Sequence, residues 1–399
     1  MHSPWLTIIG IGEDGLSGLT DASRKALANA EIVFGGERHL ALADVGARGR
    51  PWPVPFDASG VLDRRGRATV ALASGDPFWH GLGSLLAERL DRSEWIAHPA
   101  PSTFSLAAAR LGWRLESVTC LGLHAAPFES LVPHLAEGER IICLVRDGQA
   151  AINLAKWLAA NGWGGSQLWT LIALGGPCES IKRTQADGYA GDRAASLVAV
   201  ALEARGHGGL PRSSGLADAL FVHDGQITKR PIRALALSAL APRPGERLWD
   251  IGAGSGSISI EWALHGGAAL AIETRGDRAA NIRKNVEAFG MSGRIAVVEG
   301  AAPDALRDLP VPQAVFLGGG LDLAMVDSVW PLIPAGTRVA AHAVTLETEA
   351  LLSELHRRHG GELMRIEIAH TRELGRYRSW EPARPIVQWS VVKRSGDGE

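Results

Sequence analysis

The eleven residues Leu248–Ile258, Leu-Trp-Asp-Ile-Gly-Ala-Gly-Ser-Gly-Ser-Ile, constrain the fold of this chain more than any other stretch. An apolar run, Arg247–Ile251, reads as a strand, and Ser257–Ala263 reads as the helix after it. Three glycines therefore occupy a strand-to-helix turn, where the backbone can bend sharply and approach a ligand closely. The next strand, Ala268–Glu273, ends in an acid 21 positions past Gly252, the spacing that brings a carboxylate to ribose hydroxyls. Helix Ala279–Phe289 and strands Ile295–Glu299, Ala314–Leu317, Arg338–Ala343, Leu363–Ala369 and Val387–Val392 continue the alternation. This is the pattern of an α/β layer fold.

The spacing also discriminates between ligands. It is GxGxG, whereas the dinucleotide fingerprint is GxGxxG and sets a pyrophosphate on a helix N-terminus. Asp250 precedes the first glycine, so a carboxylate is expected in the pocket. It would suit an amino-acid ammonium and repel a diphosphate. S-adenosylmethionine (SAM) fits these residues better than NAD; a purely structural turn is the other alternative.

A second glycine signature lies near the start. Gly10-Ile-Gly-Glu-Asp-Gly15 follows the strand Trp5–Ile9 and matches GxGxxG literally, with Glu31 placed 19 positions past Gly12. The match misleads. The next helix, Thr20–Ala30, begins too late to offer its N-terminus to the last glycine. Glu13 and Asp14 would also stand beside any phosphate. The better signal is Ala73-Ser74-Gly75-Asp76-Pro77, after strand Val70–Ala73, although Gly-Asp-Pro can also be a plain surface turn. Strand Glu31–Phe34, helix Gly81–Arg89 and helix Phe104–Leu111, capped by Ser102 or Thr103, complete an α/β half. Strands Arg140–Val145, Leu168–Leu174 and Ser196–Leu202, with helix Ala150–Asn161, form another.

At 399 residues, two domains are the default. The stretch from Arg205 to Gly215 carries Gly, Pro, Ser and Arg with little to bury. It suggests domains at 1–205 and 226–399 joined by a linker at 206–225. A net charge of −2 without a basic run argues against nucleic-acid or membrane-surface partners. No apolar run reaches the roughly 18 residues of a membrane span. Three cysteines without CxxC argue against a disulfide scaffold and a zinc site. With no signal-peptide pattern, a cytoplasmic location is expected.

Residues 226–395 resemble the class I, Rossmann-like SAM-dependent methyltransferases. The resemblance implies that Gly252, Gly254 and Gly256 pack against the methionine part, Glu273 takes the ribose diol, and Gly300-Ala301 borders the adenine. Residues 5–205 resemble the tetrapyrrole methylase family. The matching elements are Gly10-Ile11-Gly12 leading to Leu19-Thr20, Ser74-Gly75-Asp76-Pro77, Pro101-Ser102-Thr103, Ala107–Gly112 and Leu174–Glu179. This implies a fold of two α/β subdomains and a second SAM site at Gly10, Gly12, Ser74, Gly75, Asp76, Pro77, Ser102 and Thr103. Glu13-Asp14 stands where many members carry a proline, a departure that resembles the subgroup methylating C5 of the corrin ring.

Both domains in this order, with Thr228-Lys229-Arg230 after the linker, resemble the two-domain corrin-ring methyltransferases of cobalamin biosynthesis. The resemblance implies C5 methylation of precorrin-6B by the first domain. It implies C15 methylation and decarboxylation of the C12 acetate by the second, giving precorrin-8. Two SAM sites, no metal and a homo-oligomer are implied with it. Two rivals stand beside this reading: an RNA methyltransferase, since the second domain type is shared with tRNA-modifying enzymes, and a single methylase joined to a SAM sensor or scaffold.

The catalytic candidates are Lys229, His342 and Glu347. Lys229 would pair with a substrate carboxylate or simply be a solvated lysine. His342 follows the strand residues Arg338–Ala341, whose carboxyl end should face the pocket, and Glu347 lies a little beyond; each could equally be an ordinary loop residue. Arg372, Arg376 and Arg378 around Tyr377 could meet substrate carboxylates or form a solvated basic loop. His80, three residues past Pro77, is a candidate beside the first site or a satisfied structural histidine.

Overall fold

A computed structural model describes residues 4–79 and 81–395. The chain divides into two compact units, Met1–Phe128 with His134–Gly209, and Glu129–Pro133 with Leu210–Glu399.

The first unit holds two five-stranded sheets. Strands β1 (Leu6–Ile11), β2 (Ile32–Gly35), β3 (Gly49–Pro51), β4 (Thr69–Ser74) and β5 (Trp95–His98) run in the order β3-β2-β4-β1-β5, all parallel. The central strands β1 and β4 are nearly continuous buried runs, as a parallel sheet covered on both faces requires. β1 pairs with β4 in the register Gly10↔Ala73 and Ile11↔Ser74. The two glycine loops that follow these strands therefore leave the sheet side by side. Helix Asp21–Asn29 starts where the Thr20 hydroxyl accepts the Ser23 N–H at 3.2 Å. Helix Thr103–Leu111 starts where Ser102 accepts the Ser105 N–H at 3.1 Å.

The second sheet contains β6 (Thr119–Gly122), β7 (Arg140–Leu144), β8 (Gln167–Ile172), β9 (Ser180–Gln185) and β10 (Val198–Glu203), ordered β6-β7-β10-β8-β9. Four strands of this unit have no clear sequence signal: β3, β5, β6 and β9. All four are edge strands with exposed or half-exposed residues, so no apolar period marks them. A single 3₁₀ turn, Gly15–Gly18, precedes the helix capped by Thr20.

The second unit is built on a seven-stranded sheet, ordered β13-β12-β11-β14-β15-β19-β16. Its strands are β11 (Arg247–Ile251), β12 (Ala268–Glu273), β13 (Ile295–Glu299), β14 (Ala314–Leu317), β15 (Arg338–Ala343), β16 (Glu362–Ile366) and β19 (Ile386–Val392). β11 to β15 are mutually parallel, and β19 runs antiparallel to both β15 and β16. Core packs on both faces, with Leu237, Ile260, Trp262 and Ile282 in one cluster and Trp249, Val339, Leu352 and Trp389 in the other.

Two expectations need correction. The stretch 206–225 is not a loose tether throughout. Leu216 and Phe221 are buried in the core of the second unit, and the N–H groups of Gly215 and Leu216 donate to Glu261 at 2.6 and 2.9 Å. Two anchors in a Gly-rich composition leave no periodic trace. The expected strand Leu363–Ala369 ends at Ile366, and the chain then forms an exposed hairpin of β17 (Ala369–Leu374) and β18 (Tyr377–Pro382).

Candidate active sites in the two units

Parallel pairing assembles the site of the second unit. Ile251 of β11 lies level with Ile272 of β12 and Leu317 of β14, and Leu317 lies level with Ala341 of β15. The loop at Gly252–Gly256, the acid Glu273, the triplet Gly318–Gly320 and His342 thus gather at the carboxyl ends of the strands, where open α/β sheets bind ligands. Two adjoining cavities of about 280 and 340 Å³ open there, sharing Gly252, Arg278 and Gly319.

The glycines have separate reasons to be glycine. A Cβ on Gly252 would lie 2.4 Å from the carbonyl oxygen of Gly319. A Cβ on Gly256 would lie 2.8 Å from Ile282, so this glycine serves helix packing rather than a ligand. Gly254 lines the first cavity, has φ +59°, and a Cβ there would meet nothing closer than the Gln226 oxygen at 3.7 Å. Of these three glycines, Gly254 is the one whose side chain would meet open space at the cavity.

Glu273 lines the second cavity together with Gly300 and Ala301. Its Oε2 accepts the Gly254 N–H at 2.8 Å and its Oε1 accepts the Arg275 N–H at 3.0 Å. Oε1 also accepts the Thr274 hydroxyl at 3.4 Å, whereas Oε2 keeps a further lone pair, so the carboxylate both shapes the glycine loop and can accept from a ribose hydroxyl. Asp250 differs from expectation. It lines neither cavity and is 1% exposed. Its Oδ2 accepts the Ser259 N–H and hydroxyl at 3.2 and 2.7 Å, fastening the following helix beneath the loop. Burial, with a smaller contribution from Glu273, pushes its pKa up to about 6, and Oδ1 has no partner. The carboxylate points into the protein, where Ser259, nine residues on, bonds it.

Of the catalytic candidates, Lys229 and His342 line the first cavity. Lys229 is exposed at the N-terminus of helix Arg230–Leu240. His342 lies within β15, edge-on to Phe316 with ring centres 5.2 Å apart, and its Nε2 donates to Gln388 at 2.9 Å. Burial lowers its pKa and favours the neutral imidazole, against a smaller opposing effect of the Gln388 hydrogen bond. Glu347 is exposed in the first turn of helix Leu346–His359 and lines neither cavity. Arg372, Arg376 and Arg378 lie on the exposed hairpin, outside both cavities, with Arg372 bonded to Glu381 at 2.9 Å.

In the first unit a cavity of about 430 Å³ opens at the end of β4. Ser74, Asp76, Ser102 and Thr103 line it. Gly10, Gly12, Gly75 and Pro77 do not, and act from behind. A Cβ on Gly10 would lie 1.8 Å from the Gly75 oxygen, and one on Gly75 would lie 2.8 Å from the Pro101 oxygen. Asp76 turns the loop by accepting the Phe78 N–H at 2.8 Å. His80 falls outside the described residues.

Sequence reasoning missed the other wall. Trp52, Phe56, Trp79 and Phe104 line the cavity on its apolar side. His39, at the start of helix Glu37–Leu42, completes the polar side, and its neighbour Arg38 braces it from outside the lining: Arg38 pairs with Glu13 and donates to Ser74 Oγ at 3.1 Å and His39 Nε2 at 2.8 Å. Burial and the adjacent guanidinium pull the His39 pKa down to about 4. Glu13, which stands where many tetrapyrrole methylases carry a proline, is what makes this pairing available. Among the described residues no cluster could hold a metal ion, and no helix is long and apolar enough to cross a membrane.

A protein of Sinorhizobium sp named precorrin-6Y C(5,15)-methyltransferase [decarboxylating] is 46% identical over 401 residues, spanning 98% of this chain and 97% of the relative. The chain belongs to the precorrin-6Y C(5,15)-methyltransferase (decarboxylating) family. A member of that family from Mycobacterium tuberculosis is 39% identical over 98% of this chain and 100% of its own length. Residues 5–187 match the Tetrapyrrole (Corrin/Porphyrin) Methylases, and residues 219–393 match the Precorrin methyltransferase domain. The crystal structure of the C-terminal domain of the Rhodobacter capsulatus precorrin-6Y C5,15-methyltransferase is 55% identical, covering 46% of this chain and 100% of its own, with a TM-score of 0.45. Methyltransferase families of this kind use SAM.

Proposed function

We propose that this family member carries two separate methyl-transfer sites, one in each unit, and acts on precorrin-6B to give precorrin-8. The first unit methylates C5. The second methylates C15 and removes CO2 from the C12 acetate. The observation that supports this most is the cavity at the strand ends of each unit, with glycine loops shaping it and polar groups facing in.

Bound SAM supplies an electrophilic methyl group in each site. In the second unit Glu273, Gly254, Gly300 and Ala301 would hold it, and in the first Ser74, Asp76, Ser102 and Thr103. The fit is physical. The open space above Gly254 is a cradle that any side chain would fill, and Glu273 keeps acceptor capacity for a ribose. The protein's remaining work is positioning, since a reduced tetrapyrrole brings its own nucleophilic carbons. Trp52, Phe56 and Trp79 give the first site an apolar wall for a macrocycle face. In the second site Ile227, Ile232 and Phe316 strip water from a carboxylate, which favours the less charged transition state of CO2 loss. Lys229, at the edge of the same cavity, orients that carboxylate.

Incubation of the full chain with precorrin-6B and SAM, read by mass spectrometry, tests the reading. The expected product has gained two methyl groups and lost one CO2. A product that keeps every carboxylate contradicts the decarboxylase assignment.

Calorimetry tests the cofactor placement. Gly254→Arg is expected to halve the SAM stoichiometry, because arginine is strained at φ +59° and fills the cavity. An unchanged titration would rule out Gly254 as part of the site.

A further inference from the structure

The proton count of the second site leaves a task unassigned. Replacing a ring hydrogen by a methyl cation leaves one proton to be placed, its bonding pair remaining in the ring. Replacing a carboxylate by hydrogen consumes one: the bond to CO2 breaks, its electron pair passes into the conjugated ring, and the carbon is then protonated. One group that accepts a proton and returns it balances both steps without a further reactant.

His342 has the geometry for this task. It lines the cavity beside Lys229 and Phe316. Its partner, Gln388 of β19, lies directly across the strand pair in the register His342↔Gln388 and is 3% exposed. A carbonyl oxygen only accepts, so the 2.9 Å contact from Nε2 to Gln388 Oε1 puts the proton on Nε2. The lone pair is left on Nδ1. No protein group is bonded to Nδ1 among the described residues, and it is absent from the sealed, unpartnered buried atoms.

We propose that Gln388 is a positioning residue that holds His342 in its Nε2–H tautomer, so that Nδ1 faces the cavity and takes up the proton displaced by methylation and returns it to the carbon that loses CO2. This rests on the function proposed above. Gln388 does the orienting that a carboxylate does in other histidine sites, but without a charge, so the imidazole stays neutral and ready to accept.

Full-length protein labelled with ¹⁵N-histidine tests the tautomer without substrate, with the His342 signal assigned by its loss in His342→Asn. Wild type is expected to show a protonated Nε2 and a bare Nδ1. Gln388→Leu is expected to mix the tautomers and to slow formation of the C15-methylated, decarboxylated product by about tenfold or more. Its rate of C5 methylation should stay unchanged. Gln388→Glu keeps an acceptor at that position and should restore the tautomer even if the leucine variant folds poorly. A wild-type imidazole protonated on Nδ1 would overturn the proposal, as would a Gln388→Leu enzyme with a mixed tautomer and undiminished C15 chemistry. Failure of wild type to methylate C15 at all would instead remove the underlying function, whatever the tautomer.

Discussion

Gly10→Ala is expected to abolish C5 methylation while C15 methylation and decarboxylation continue. The added Cβ would sit 1.8 Å from the Gly75 oxygen and 2.6 Å from the Ala100 nitrogen, both backbone atoms that cannot rotate away. That oxygen already accepts the Ala100 N–H at 3.2 Å, and the Gly75 N–H donates to the Ile11 oxygen at 3.1 Å. β1 and β4 are locked in register one residue away, so the strain must fall on the Ser74–Pro77 loop. Overpacking of this kind costs about 1–3 kcal/mol, which a two-sheet unit tolerates. Displacing a site loop by about 1 Å can cost roughly a hundredfold in rate. The measurement is the mass of the product, which should be decarboxylated and carry a single added methyl. Gly12→Ala is the internal contrast. Its Cβ meets the Asp14 carboxylate at 2.7 Å, a side chain that can swing aside, so C5 methylation should fall much less. Equal losses in the two variants would mean that the Gly10–Gly75 contact does not shape the site.

The two alanine variants also show what the sequence could and could not reveal. Gly252, Gly254 and Glu273 were legible because their spacing is local: one strand, one turn and the next strand end. Asp250 was misread by the same local logic. Its direction depends on Ser259, one helical turn into the following element, and spacing alone does not reveal which partner a carboxylate chooses. The pairing of Gly10 with Gly75 could be reached only through a family resemblance, since 65 residues separate them and β-sheet register brings them together. Arg38, His39 and Trp52 had no motif at all. They lie on a short helix and beyond an edge strand, where neither apolar period nor turn chemistry marks a residue as part of a cavity wall or its bracing. Gln388 was invisible for a related reason: a glutamine in an apolar strand carries no signal until antiparallel register sets it opposite a histidine.

Arg233→Met should destabilise the second unit strongly and loosen the wall of its site. Arg233 is fully buried. Its Nε donates to Glu261 at 2.5 Å, and Nη1 donates to the Thr228 oxygen and to Asp218 at 2.5 and 3.2 Å. Nη2 donates to the Leu216 oxygen, and the guanidinium stacks 4.8 Å from the Phe221 ring centre. One side chain therefore fastens residues 216 to 228, and Gln226 to Lys229 line the first cavity. Methionine fills the volume but leaves Glu261 charged, buried and short of its cation. Removing one partner of such a pair costs about 3–5 kcal/mol, or a fall of roughly 10 °C in the calorimetric transition of this unit. SAM affinity of the second site should weaken with it while the first site titrates normally. Glu261→Gln in the same chain removes the stranded charge and keeps one oxygen, which can accept from either the Gly215 or the Leu216 N–H but not from both as the two carboxylate oxygens do, so the double variant should recover part of the lost stability. If Arg233→Met melts like wild type, the network does not hold this wall. If the double variant is as damaged as the single, the cost lies in the lost Thr228 and Leu216 contacts rather than in the unpaired carboxylate.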